Sequence, residues 1–109
     1  MNSLEIELQE SFIKQEYKNI PGNLKDAMIR YVVHKILPGG FLRAVLENNL
    51  FLAVGKADDN SQKNLSVICK WFYNIPPSSC WGSPKIVNKY LTDKVLNENT
   101  DIVDQGKEW

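Results

Sequence analysis

The chain of 109 residues is 43% hydrophobic and 24% charged, with thirteen acidic residues against thirteen basic and a formal net charge of zero. That length specifies one domain with a thin core, and the composition is an ordinary soluble one. Zero net charge excludes a global attraction to nucleic acid, but the charge is unevenly spread: residues 1–20 carry −2, residues 98–109 carry −3 and residues 21–97 carry +5. A mildly basic body with acidic ends accommodates an anionic small ligand, or is simply a soluble surface.

Residues 1–19 read as an N-terminal arm or helix. Leu4, Ile6 and Leu8 alternate like a strand, whereas Phe12, Ile13 and Tyr17 are spaced like a helix, so periodicity leaves both open. Asn19-Ile-Pro-Gly22 breaks the chain, and a helical domain follows over residues 20–97. Asn23 is placed to cap its first helix, whose buried stripe is Leu24, Ala27, Met28, Tyr31, Val32 and Ile36. His34 lies off that stripe near the C-terminal turn, with no nucleophile or carboxylate paired to it in sequence.

The most apolar run, Leu37 to Asp59, comes next. Pro38-Gly39-Gly40 turns into Phe41-Leu-Arg-Ala-Val-Leu46, a helix by its spacing. Two glycines at a helix start expose backbone N–H groups that suit a phosphate or carboxylate, with Arg43 one turn on; alternatively they only permit a tight corner. Asn48-Asn49 stops one helix and caps the next, Leu50-Phe-Leu-Ala-Val54, expected to be short and buried and closed by Gly55. Asp58 or Asp59 caps a longer helix from Asn60 to Tyr73, with Leu65, Ile68, Cys69 and Phe72 facing in. Asp58-Asp59-Asn60 lacks the spacing of a calcium loop, and no metal site or cofactor is expected.

Asn74 to Pro84 is one irregular segment. Ser83-Pro84 then starts a last helix running to about Asn97, with Ile86, Val87, Tyr90, Leu91 and Val95 inward. Trp81, just before it, either plugs the core or stacks on a ligand ring. Residues 98–109 read as a flexible acidic tail ending in Trp109. The expected fold is therefore all-α, a compact bundle of about five short helices with an N-terminal arm. Cys69 and Cys80 have neither the number nor the spacing of a disulfide framework or zinc site, and Cys69 is expected to pack as a small hydrophobe. No leader-like start and no run of eighteen apolar residues occurs, so the expected setting is cytoplasmic, without membrane contact.

Pro38-Gly-Gly-Phe-Leu-Arg-Ala-Val-Leu-Glu-Asn-Asn-Leu50, Gly55-Lys-Ala-Asp-Asp-Asn60, Tyr73-Asn-Ile-Pro76 and Cys80-Trp-Gly-Ser-Pro84 occur in that order. Together they resemble a family of small uncharacterised bacteriophage and prophage proteins, over about residues 20–92. The resemblance implies a viral setting and no particular reaction. Small viral proteins often block a host defence, either by gripping a host protein or by sequestering a signalling nucleotide, and by analogy of setting the resemblance implies one of those roles.

No catalytic constellation is visible, so an enzyme is not expected. Nucleic-acid binding would draw on Arg43, Lys56, Lys63, Lys70, Lys85 and Lys89, which are spread over several helices. The leading expectation is a non-enzymatic binding protein that captures a small anionic, nucleotide-like ligand. In it Gly39, Gly40, Arg43 and Lys56 would hold phosphates, Phe41 or Trp81 would stack on a ring, and Asn48 and Asn49 would read its edges. The alternative is a protein–protein inhibitor of a host protein, using Leu4, Ile6, Leu8, Phe12, Ile13 and Trp109. Both versions suit a homo-oligomer.

Overall fold

Short polar side chains and prolines punctuate this chain into helices, and the computed structural model, which describes residues 2–93, places each punctuation mark. The order is α1 (Ser3–Ser11), α2 (Gly22–His34), α3 (Gly40–Leu46), α4 (Leu50–Lys56), α5 (Asp59–Lys63), α6 (Leu65–Asn74), a 3-10 turn at Ser78–Cys80 and α7 (Pro84–Thr92). No strand occurs among the described residues, so the class is all-α. Side-chain oxygens of Asn2, Asn49, Asp58 and Ser83 accept from the N–H groups of Glu5, Leu52, Ser61 and Ile86, satisfying donors that a helix start leaves orphaned. Residues 94–109, including Val95, the acidic tail and Trp109, lie outside the described residues.

Seven α-helices are described rather than about five, for two reasons. The N-terminal segment is itself a helix: Leu4 is half-buried and Leu8 buried, an i, i+4 pair, while Ile6 stays exposed. Helical spacing therefore overrides the apparent alternation. The helix expected from Asn60 to Tyr73 is interrupted at Asn64, whose side-chain amide donates to the Asn60 carbonyl at 2.8 Å. That carbonyl is the one the Asn64 backbone N–H would use in an unbroken helix; the N–H turns instead to Ser61 at 3.2 Å.

The start of α2 is also earlier than expected. Leu24 and Lys25 donate to the Pro21 carbonyl, so the chain begins to coil at Pro21 and Asn23 sits inside the first turn instead of capping it. At the other end Lys35 adopts a left-handed conformation (φ 58°), and the Ile36 N–H closes the helix onto Arg30 at 3.3 Å. Left-handed geometry is unusual for lysine; here its ammonium lies 3.5 Å over the Tyr90 ring. The reversal takes Ile36 off the expected buried stripe, leaving it 49% exposed.

The core is centred on Trp71, which has no exposed surface. Phe12 stacks on its indole at 4.9 Å and Phe72 meets it edge-on at 5.0 Å. The indole N–H donates to Ser11 Oγ at 2.7 Å, and the Ser11 hydroxyl donates to the Leu8 carbonyl at 2.6 Å. Leu8, Ile20, Met28, Tyr31, Val32, Leu46, Ile68 and Val87 are among the other fully buried side chains. Cys69 was expected inward but is exposed, because α6 buries Ile68, Trp71 and Phe72 instead. An indole removes far more apolar surface from water than a thiol, which decides the phase.

A second correction concerns α4, expected to be buried. Only Ala53 is; Leu50, Phe51, Leu52 and Val54 are exposed.

At the opposite side of the core, Tyr31 donates to the Cys80 carbonyl at 2.8 Å and Tyr90 donates to the Val32 carbonyl. Their rings touch at 5.2 Å, tying α2 to α7.

Two predictions follow from these buried polar groups. Ser11→Ala should lower unfolding free energy by about 1–3 kcal/mol, the cost of an orphaned indole N–H, read as a lower denaturant midpoint at unchanged slope. Burial also pushes Tyr31 and Tyr90 above the ordinary phenol value and the Cys80 thiol up to about 12. The unfolded chain ionises these groups near 10 and 9, so above about pH 9 it binds fewer protons than the folded chain and stability falls as pH rises. The midpoint should drop between pH 8 and pH 11, and drop less in Tyr31→Phe.

Candidate functional site

A helix C-terminus exposes carbonyls that need donors, and two such ends are met by one dipeptide here. Trp81 donates its indole N–H to the Phe72 carbonyl near the end of α6 at 3.0 Å, and Gly82 donates its backbone N–H to the Leu46 carbonyl at the end of α3 at 2.8 Å. Gly82 has φ 146°, a conformation that strains any residue with a Cβ, so glycine is required to bring the peptide onto α3. The bridge leaves a cavity of about 310 Å³ beneath Trp81, walled by Val45 and Asn48 from the α3 end and by Cys69, Lys70, Phe72 and Tyr73 from α6. That volume lies at the lower end for small-ligand sites.

The walls are mostly apolar. Tyr73, 72% exposed, sets its ring 6.0 Å from that of half-buried Trp81, inclined at 42°, so the two form an open angle of aromatic surface. Asn48, held in a left-handed conformation (φ 63°), and Lys70 contribute the polar groups. Partial burial raises the Cys69 thiol above its ordinary value. The arrangement suits a flat apolar ring bearing a hydrogen-bonding edge and negative charge.

Of the eight residues singled out in the sequence, this groove gathers two, Asn48 and Trp81. Asn49 is committed to capping α4 through the Leu52 N–H at 3.1 Å. Phe41 is buried, so its ring belongs to the core and offers no stacking face. The remaining four sit toward the other end of α3, which at seven residues is about 10 Å long. There Gly39 and Gly40 are exposed, and the Lys56 stem crosses Gly40 so closely that a Cβ would stand 2.8 Å from its Cδ. The crossing atom belongs to a flexible, exposed lysine stem that can shift, so it does not by itself demand glycine at 40. Arg43 donates to Glu47 at 2.8 Å, an i, i+4 ion pair. The single site expected from sequence is therefore two places, a glycine corner and an aromatic groove.

Tyr73, Lys70, considered above only for nucleic-acid contact, and Cys69, expected in the core, were not singled out as ligand-site residues. The available signal was the apolar composition of α6 on more than one side, Val67-Ile68-Cys69 and Trp71-Phe72-Tyr73, which a single buried face cannot absorb. His34 reaches Glu5 of α1 at 3.8 Å on the surface. Asp58 accepts the Ser61 N–H, which holds its carboxyl below the usual range, so its role is that of a cap. Among the described residues, no cluster of three His, Cys, Asp or Glu gathers to hold a metal, and no helix is long and apolar enough to cross a membrane.

The two thiols offer a check on this geometry. A haloacetamide should alkylate Cys69 in the folded protein, with a rate still rising past pH 9, while Cys80 stays unmodified until denaturant is added; peptide mass mapping reads both.

Comparison of the chain with protein-family models, with curated proteins and with solved structures found no match.

Proposed function

We propose that the chain is a non-enzymatic, viral-type binding protein that sequesters a small nucleotide-like anion and so counters a host defence in the host cytoplasm. The observation that carries this reading is the aromatic groove, where exposed Tyr73 and half-buried Trp81 stand beside Asn48 and Lys70. A nucleobase fits between apolar walls and an aromatic face, the Asn48 amide matches its edge, and the Lys70 ammonium matches a phosphate. Capture alone suffices: an abundant protein with a preformed groove lowers the free concentration of a signal. The glycine corner contributes less, because Arg43 is already paired to Glu47.

Native mass spectrometry of gently purified protein, then denaturation and analysis of what is released, tests the proposal. A stoichiometric nucleotide supports it. Trp81→Ala should then weaken binding by about 10- to 100-fold, the equivalent of 1–3 kcal/mol of base stacking, while Arg43→Ala changes it little. An empty protein whose melting temperature is unmoved by a panel of cyclic and linear nucleotides would overturn it.

A second reading, inhibition of a host protein by contact, draws on Ile13, 75% exposed, and Ile6, also exposed. Leu8 and Phe12, which the same reading would use, are in the core. Capture of one host protein by the wild type, lost in Ile13→Asp, is its signature.

A further inference from the structure

The helix ends that meet at the aromatic groove are both C-terminal. Its walls come from the end of α3, the later turns of α6 and Trp81, so no lining residue belongs to the first turn of a helix. A helix C-terminus is the negative end of the aligned peptide dipoles, and neither end therefore attracts an anion. Trp81 and Gly82 satisfy one carbonyl at each end without adding a charge. Among the described residues, Lys70 is the only charged side chain lining the groove, and nothing hydrogen-bonds or ion-pairs its ammonium or the Asn48 carboxamide. The groove thus offers one full positive charge set against two partly negative helix ends. Its volume of about 310 Å³, at the bottom of the range for small-ligand sites, suits one ring system with its sugar.

We infer that the groove takes a mononucleotide bearing a single negative charge, a phosphodiester of one nucleoside, and gains nothing from a polyphosphate. The inference rests on the reading of the groove as a nucleotide site and narrows the class of ligand. A phosphodiester carries one charge, which one ammonium matches, whereas a phosphomonoester carries about 1.5 to 2 at neutral pH and di- and triphosphates carry more. The first charge forms a charge-assisted hydrogen bond with Lys70. Each further charge finds no second cation in the groove, and where it turns toward the protein it meets carbonyl ends. The groups suited to a second phosphate are elsewhere: Gly39, Gly40 and Lys56 stand toward the other end of α3, and Arg43 is engaged by Glu47.

Isothermal titration of the full chain in magnesium-free buffer at about 0.15 M salt tests this, with adenosine, the methyl ester of AMP, ADP and ATP, and with the same four derivatives of guanosine. In at least one series the diester should bind about tenfold tighter than the nucleoside, with no further gain at the di- and triphosphate. Lys70→Gln alters an exposed side chain and should leave the circular dichroism spectrum unchanged. It should lower the diester to the affinity of the nucleoside and leave the nucleoside's own affinity in place. A di- or triphosphate that binds tenfold or more tighter than the diester overturns the inference, as does a nucleoside that matches the diester or a diester preference that survives in Lys70→Gln; nucleotide capture stands in each of these cases. Absence of binding in both series overturns the reading of the groove itself, and this inference with it.

Discussion

A buried indole must place its N–H somewhere, and in this protein that requirement joins the first helix to the sixth. Trp71 has no exposed surface, and the partner it finds is the hydroxyl of Ser11, sixty positions earlier. Because Ser11 passes the chain of donors on to the Leu8 carbonyl, no member is left unsatisfied, and a complete buried network specifies one arrangement in a way apolar contact cannot. Phe12, one residue later, is then held flat against the same indole. The N-terminal helix is positioned by this anchor and becomes part of the core.

Fixing α6 through Trp71 decides everything on its other side. With Ile68, Trp71 and Phe72 turned inward, Cys69, Lys70 and Tyr73 must face outward, and these three join Phe72 as the α6 side chains that wall the groove. The groove is closed over by Trp81 and Gly82 because the carbonyls of Phe72 and Leu46 both require donors at the ends of their helices. Backbone satisfaction, an obligation of any fold, has here produced a concave aromatic surface. At Trp81 a structural role and a place in the groove coincide: it is a hydrogen-bonded bridge and a ring facing a cavity at once.

Much of this was legible in the amino-acid order. Asn49, Asp58 and Ser83 cap helices where short polar residues preceding apolar periods said they would, and the all-α class follows from those periods. What was illegible depended on competition between neighbours. The break at Asn64 arises because one side-chain amide outbids one backbone N–H for a single carbonyl, a contest no periodicity records. The phase of α6 was misjudged because two stripes of apolar residues fit the same helix, and only the burial of Trp71 separates them. For the site, Trp81 and Asn48 were visible, as an aromatic in a loop and as half of a helix-stop pair respectively, but their meeting with Tyr73 is a matter of tertiary packing. The exposure of α4 had no signal at all, since five apolar residues in a row read as core whether or not anything covers them.

The sixty-residue separation of Ser11 and Trp71 also has a consequence in time. Synthesis proceeds at about 5–20 residues per second, so α1 exists for some 3–12 s before the residue that anchors it has been made. Over that interval Phe12 lacks the indole it stacks on, and a nine-residue helix on its own is marginal in water. The contacts of α1 with α2 can form as soon as α2 emerges, but the anchor that fixes the first helix in the core is completed only once α6 has been translated.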